Sequence, residues 1–211
     1  MNVRINSHIH FPNPSSRPID TRRPFTQIAH SSSRLARRCS NIMQDTTAIT
    51  FAVPTPYVGY SLVKPAWLDA NGHMNVAHYV SAYDDGSCPM FDDFGLGWDY
   101  THQGEASMFM VSSSIDFRRE LMVGDPLEMT TLLLGYDRRR IHIYQELYHR
   151  EQRYLSAQAE FVFVHISFAT RRATVMPDRA QQRLAEIQAV HAAVPRPAFV
   201  GRAIGLAWKP A

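Results

Sequence analysis

The chain has 211 residues, 45% of them hydrophobic, which suits one domain with a substantial core. It contains no run of about 18 apolar residues of the kind that spans a bilayer, so a membrane role is not expected. The formal charge of +3 is uneven: residues 1–42 hold seven Arg and one acid, Asp20, leaving 15 basic and 18 acidic side chains in the remainder. That balance does not suggest a nucleic-acid surface on the rest of the chain.

In chain order, residues 1–50 are read as a disordered or leader tail and residues 51–211 as the folded domain. The tail is rich in Ser and Pro, without a sustained apolar period. It lacks the apolar stretch of a secretory signal, although its Arg-rich, acid-poor composition also fits an organelle transit peptide. Translation from Met43 is an equally plain alternative. Cys39 and Cys88 belong to no C-x-x-C pair, so a reduced, cytoplasmic setting is expected, with organelle import as the alternative.

The first strand is expected at 57–64, ended by Pro65. A helix follows from Val76 to about Phe94, with Asn75 as its N-cap and apolar side chains at three- and four-residue steps: Val76, Val80, Tyr83, Met90, Phe91 and Phe94. Gly86 and Pro89 interrupt that pattern, which predicts a kink or a break at 85–88. Extended runs are expected at 107–119, 127–136, 139–149 and 154–170. Turn residues Gly124-Asp125-Pro126 and Asp137-Arg138 lie between them. A last helix is expected at 178–193, then a tail at 195–211 that packs on the domain. One long helix followed by hairpin-connected strands describes an α+β architecture with an antiparallel sheet around that helix.

Between the first strand and the helix lies Asp69-Ala70-Asn71-Gly72-His73-Met74-Asn75. A carboxylate, an amide and an imidazole are gathered there just before a helix N-terminus. The first N–H groups of a helix have no intrahelical partners and can polarise a carbonyl. Asp69 is a candidate nucleophile or general base; the plain alternative is a turn residue bonded to nearby amides. His73 is open as a base, an orienting group or a turn histidine. Asn71 is a candidate to hold water or a substrate oxygen, and also suits a turn. Gly72 serves the turn and lets a ligand approach the backbone.

With Trp67, Tyr79, Gly95, Gly124-Asp125-Pro126 and Arg171-Arg172-x-x-x-x-Pro177, this motif resembles the hotdog-fold acyl-CoA thioesterases, most closely the 4-hydroxybenzoyl-CoA thioesterase-like group. There the pattern is roughly D-x-x-G-H-V/M-N, between the first strand and the central helix. A D-x-N-x-H-x-x-N version, in which Asp69, Asn71 and His73 match, is similar to the plant acyl-acyl-carrier-protein thioesterases. Val76-Ala77-His78 stands where a second Asn is common. The resemblance covers about residues 57–205. It implies a hotdog fold, hydrolysis of an acyl-CoA thioester without a cofactor, and a homodimer or homotetramer whose sites are shared between chains. It also implies that Asp69, His73 and Asn71 do the chemistry while Gly72, Asn75, the Val76 N–H and Tyr79 contact substrate. A non-catalytic acyl-CoA-binding hotdog protein is the alternative, and hydration or dehydration of an acyl thioester is a more distant one.

Other residues carry weaker signals. Strand residues 108–119 and Glu160 are candidates for a partner's contribution, with a solvated face the plain reading of Glu160. Arg138-Arg139-Arg140 and Arg171-Arg172 suit the phosphates of coenzyme A or simple solvated turns. Trp67, Tyr79, Tyr83, Trp98 and Tyr100 suit core packing or an acyl pocket, including one for a cationic, betaine-like acyl group. The sequence lacks G-x-S-x-G, H-E-x-x-H and phosphate-cradling glycine motifs, and no metal is expected.

Overall fold

A computed structural model of the chain describes residues 52–202. The tail expected at 1–50, the start site at Met43 and the last part of the C-terminal tail lie outside the described residues.

Five antiparallel strands form one sheet: β1 (Tyr57–Leu62), β2 (Ala106–Phe117), β3 (Pro126–Tyr136), β4 (Arg140–His149) and β5 (Leu155–Ser167), in the spatial order β1-β3-β4-β5-β2. The long helix α1 (Val76–Asp93) packs chiefly on β1 and β3. Period-two alternation sorts the faces. Leu127, Met129 and Leu133 of β3, with Ile141, Ile143 and Leu147 of β4, are buried beneath the helix side, as is Phe161 of β5. The expected strands are all present, with ends within three residues of those expected: β2 and β3 begin one residue earlier, and β1, β2 and β5 stop two or three residues sooner.

Of the kink or break expected at 85–88, the break is absent, because α1 continues through Pro89 to Asp93. Gly86 marks a close approach rather than a stop. A Cβ there would lie 2.5 Å from the Cβ of Met129, and a Cβ on Gly59 of β1 would lie 2.7 Å from the Cα of Gly86. Removing both side chains lets the helix backbone sit down on the sheet, and the buried face of Tyr79, Ala82, Tyr83, Met90 and Phe91 holds it there. Packing thereby outweighs the hydrogen bond that Pro89 forfeits. The helix ends in a Schellman turn: Gly95 has φ +78°, its N–H reaches Asp92 O at 3.1 Å, and the Leu96 N–H reaches Phe91 O at 2.9 Å.

Two short features were not legible as periodic patterns. A 3-10 turn, Pro65–Trp67, follows β1, and α2 (Trp98–His102) follows the Schellman turn. The last helix, α3 (Asp178–His191), packs on β3. Arg183 grips Asp93 of α1 with two bonds of 3.0 and 2.9 Å, and His191 accepts the Leu133 N–H at 2.8 Å. The described part of the C-terminal tail does pack on the domain, with Phe199 buried against Tyr144 and the Gly201 N–H donating to Glu160 Oε2 at 2.7 Å.

Candidate active site

Asp69 opens a tight reversal. The Gly72 N–H returns to Asp69 O at 3.1 Å, and Leu68 and Met74 bridge across the base. This is a three-residue loop in which Gly72, at φ +80°, supplies the left-handed position. The carboxylate ties the loop from within, since Oδ1 accepts the Asn71 N–H at 2.8 Å and the His73 N–H at 3.3 Å. Those amides favour the charged form, and the Asn71 N–H above all holds the Asp69 carboxyl below its ordinary value. Both amides fall on the same oxygen, so the carboxylate is anchored and oriented through Oδ1.

The loop is itself fastened to its neighbours. Met74 N–H donates to Leu121 O and Asn75 N–H to Trp67 O, both at 2.8 Å, while His73 bridges Met122. Asn75 caps α1, its Oδ1 accepting the Ala77 N–H at 2.9 Å. Val76 is exposed, and among the described residues no acceptor lies on its N–H. An anchored carboxylate and an open helix N-terminus therefore follow one another within seven residues. That combination can attack a carbonyl carbon and stabilise the oxyanion that develops.

The remaining residues separate. His73 faces Glu120 of the β2–β3 loop, Nε2 to Oε2 at 3.7 Å, with both side chains partly exposed. Asn71 sits exposed at the loop tip. Tyr79 is in the core, its ring edge-on to Phe117 and its hydroxyl 3.4 Å from Ser156 Oγ; burial pushes its phenol upward. It supports the start of α1 from below instead of facing solvent. Glu160 bonds His142 at 2.6 Å on the opposite side of the sheet from α1, and Arg140 is committed to Asp137. Glu120 escaped the sequence reading because its loop is distant from the motif in sequence and is brought to it by the Leu121 and Met122 backbone contacts. Among the described residues no group of three or more His, Cys, Asp or Glu is placed to hold a metal ion, and no helix is long and apolar enough to cross a membrane.

A separate pocket of about 130 Å³ opens between α1, α2, β2 and β5. Phe91, Trp98, Met108 and Phe163 contribute its apolar wall, and Asp84 stands at its mouth. Trp98 was legible as a pocket candidate; Asp84, hidden in an ordinary helix pattern, was not.

Residues 63–184, more than half of the chain, match the family model of the Thioesterase-like superfamily. The betainyl-CoA thioesterase of Pseudomonas aeruginosa is 31% identical over 144 residues, which are 68% of this chain and 91% of that protein. The L-carnitine dehydrogenase/betainyl-CoA thioesterase of a Rhizobium species is 29% identical over 68% of this chain, and the match spans 29% of its own length. Among solved structures, a Staphylococcus aureus protein in complex with CoA superposes with a TM-score of 0.66 at 21% identity, covering 75% of this chain and 99% of that one. That likeness is one of fold, and the fold is the hotdog.

Proposed function

The chain belongs to the thioesterase-like superfamily, and from that premise we propose that it hydrolyses betainyl-CoA to glycine betaine and free CoA at the Asp69 turn. The observation that carries this reading is the anchored carboxylate of Asp69 in the turn that leads into the open N-terminus of α1. The acyl group is taken from the relative that shares 31% identity over most of both chains.

In the reaction the thioester oxygen sits against the Val76 N–H, and the Asn75 cap fixes the direction of that donor. The Asp69 carboxylate, oriented through Oδ1, attacks the carbonyl carbon itself, the C–S bond breaks, and CoA leaves as thiolate. Water then cleaves the mixed anhydride, giving the free acid and restoring the carboxylate, while the thiolate takes up the released proton. His73, beside Glu120, orients the attacking water. Asn71 and Gly72 border the entering thioester, and no cofactor enters the scheme.

The functional unit is a homo-oligomer, at least a dimer, formed by the domain at 51–211. Two cysteines with no C-x-x-C spacing in the sequence support a reduced, cytoplasmic setting, with organelle import the alternative should residues 1–42 be read as a transit peptide.

Free-thiol release from betainyl-CoA by the full chain tests this directly. Asp69→Asn is expected to lower kcat by roughly 100-fold or more while leaving the fold intact. Rapid-quench sampling is expected to show CoA ahead of free acid in the first turnover; simultaneous appearance would assign Asp69 to activating water instead. Binding of acyl-CoA by the wild type without any turnover would favour the non-catalytic alternative.

A further inference from the structure

The pocket beside α2 is suited to one kind of guest. Its volume of about 130 Å³ is close to the roughly 150 Å³ that takes up a benzene-sized molecule, and a trimethylammonium group is of that order. Trp98, Phe91 and Phe163 offer aromatic surface, and Met108 is a soft, polarizable neighbour. Aromatic surface with a nearby carboxylate is the chemistry that recognises quaternary ammonium ions. Asp84 supplies that carboxylate. Desolvation pushes its carboxyl above the usual range and Asp85 beside it adds to the shift, so a cation at the pocket mouth relieves both effects.

Distance decides which active site this pocket serves. Asp84 lies eight residues along α1 from Val76, about 12 Å at the helical rise. In a betainyl thioester the nitrogen is only two bonds, roughly 2.5 Å, from the carbonyl carbon. A thioester held at the Val76 N–H therefore cannot place its ammonium group in the pocket of the same chain.

The topology of β2 offers the other arrangement. β2 pairs with β5 on one side only, and its centre, Val111 to Ser113, is exposed. Ser107 and Met108, at its N-terminal end, line the pocket. Phe117, at its C-terminal end, packs on Tyr79 in the first turns of α1. Two copies pairing antiparallel through this edge about a two-fold axis set the N-terminal end of one β2 beside the C-terminal end of the other. The pocket of one copy then meets the start of α1 and the Asp69 turn of the second.

We propose that Asp84 and Trp98 of one copy recognise the trimethylammonium group of an acyl chain whose thioester is held at Asp69 and Val76 of the other copy. These two residues determine specificity, and the proposal rests on the hydrolytic reading above. It extends that reading by naming what selects the acyl group and from which chain.

The test compares betainyl-CoA with tert-butylacetyl-CoA, in which carbon replaces the charged nitrogen at unchanged shape. Asp84→Asn is expected to lower the ratio of kcat/KM for the charged over the neutral ester by about tenfold, and Trp98→Leu to lower it in the same direction. An unchanged ratio in Asp84→Asn overturns the assignment. Heterodimers of an Asp69→Asn chain with an Asp84→Asn chain then identify the source of each residue. A shared site leaves one of the two centres free of both substitutions, so turnover of betainyl-CoA recovers to about half that of the wild type. Sites built within single chains leave each centre with one substitution, and the absence of recovery overturns the proposal. A wild type inert toward both esters overturns the hydrolytic reading instead. The cation site is then read by calorimetry with betainyl-CoA, where equal affinity of wild type and Asp84→Asn rejects it.

Discussion

Asp69 does two jobs with one carboxylate. Its Oδ1 closes the loop through the Asn71 and His73 amides, which is the turn role expected of D-x-x-G, and in the proposed reaction the same bonds orient the group for attack. Because amide donors stabilise the charged form, its folded pKa lies below the ordinary carboxylate value. The sign follows: a depressed carboxyl pKa contributes stability above the unfolded value, lost as pH falls through the folded one. In the proposed reaction the consequence is read in the rate. The acid limb of kcat/KM is expected below pH ~4, the ordinary Asp value, in a pH-rate profile accompanied by circular dichroism to exclude unfolding. A limb near pH ~6, in the histidine range, would transfer the essential base to His73. At this scale the motif was readable because all its members lie within seven residues. Glu120 and Asp84 were not, since nothing local in sequence brings the first to His73 or marks the second as the mouth of a pocket.

Among the elements, α1 decides the geometry of the domain, and its fit depends on absent side chains. Gly59 and Gly86 face each other where helix and β1 meet, and Gly86 also abuts Met129 of β3. A periodicity argument treats such glycines as interruptions, because helix propensity counts local cost and not the approach of a second backbone. That is why a break was expected where the helix is in closest contact with the sheet. Gly86→Ala must push Met129 aside or lift the helix, and it is expected to destabilise the protein by about 1–3 kcal/mol. Gly135→Ala is the matched control, since a Cβ there meets nothing within 4 Å. Thermal denaturation of the two variants reads the difference. Equal melting temperatures would mean that Met129 yields without cost and that the close approach is not what seats the helix. The strands were legible throughout, their alternation being strict wherever α1 covers one face; their ends were not, because nothing local in sequence marks where pairing stops, as after β2, where the Arg118 and Arg119 N–H groups both turn to Ser156 O.

For the whole molecule, the two edges of the sheet differ in a way that points to assembly. β1 has six residues and is flanked by Pro56 and Pro65, which blunts it against further pairing. β2 has twelve residues, carries no charge from Ala106 to Ile115, and exposes Val111 and Phe117. A long, uncharged, apolar edge left open is an aggregation site, so it is expected to be covered, and self-pairing covers it in both copies at once. Composition gave no hint of this, because an edge exists only once strand order is known. Val111→Lys places a charge in the middle of the shared edge on each copy. The variant is expected to sediment as a monomer, to keep the circular dichroism spectrum of the wild type, and to lose most of its thioester hydrolysis, because the Asp69 turn would face water in place of a second chain. A monomeric variant with full activity would show that each chain carries a complete site. A variant that remained dimeric would move the interface away from β2, and with it the route by which the pocket of one copy reaches the helix start of the other.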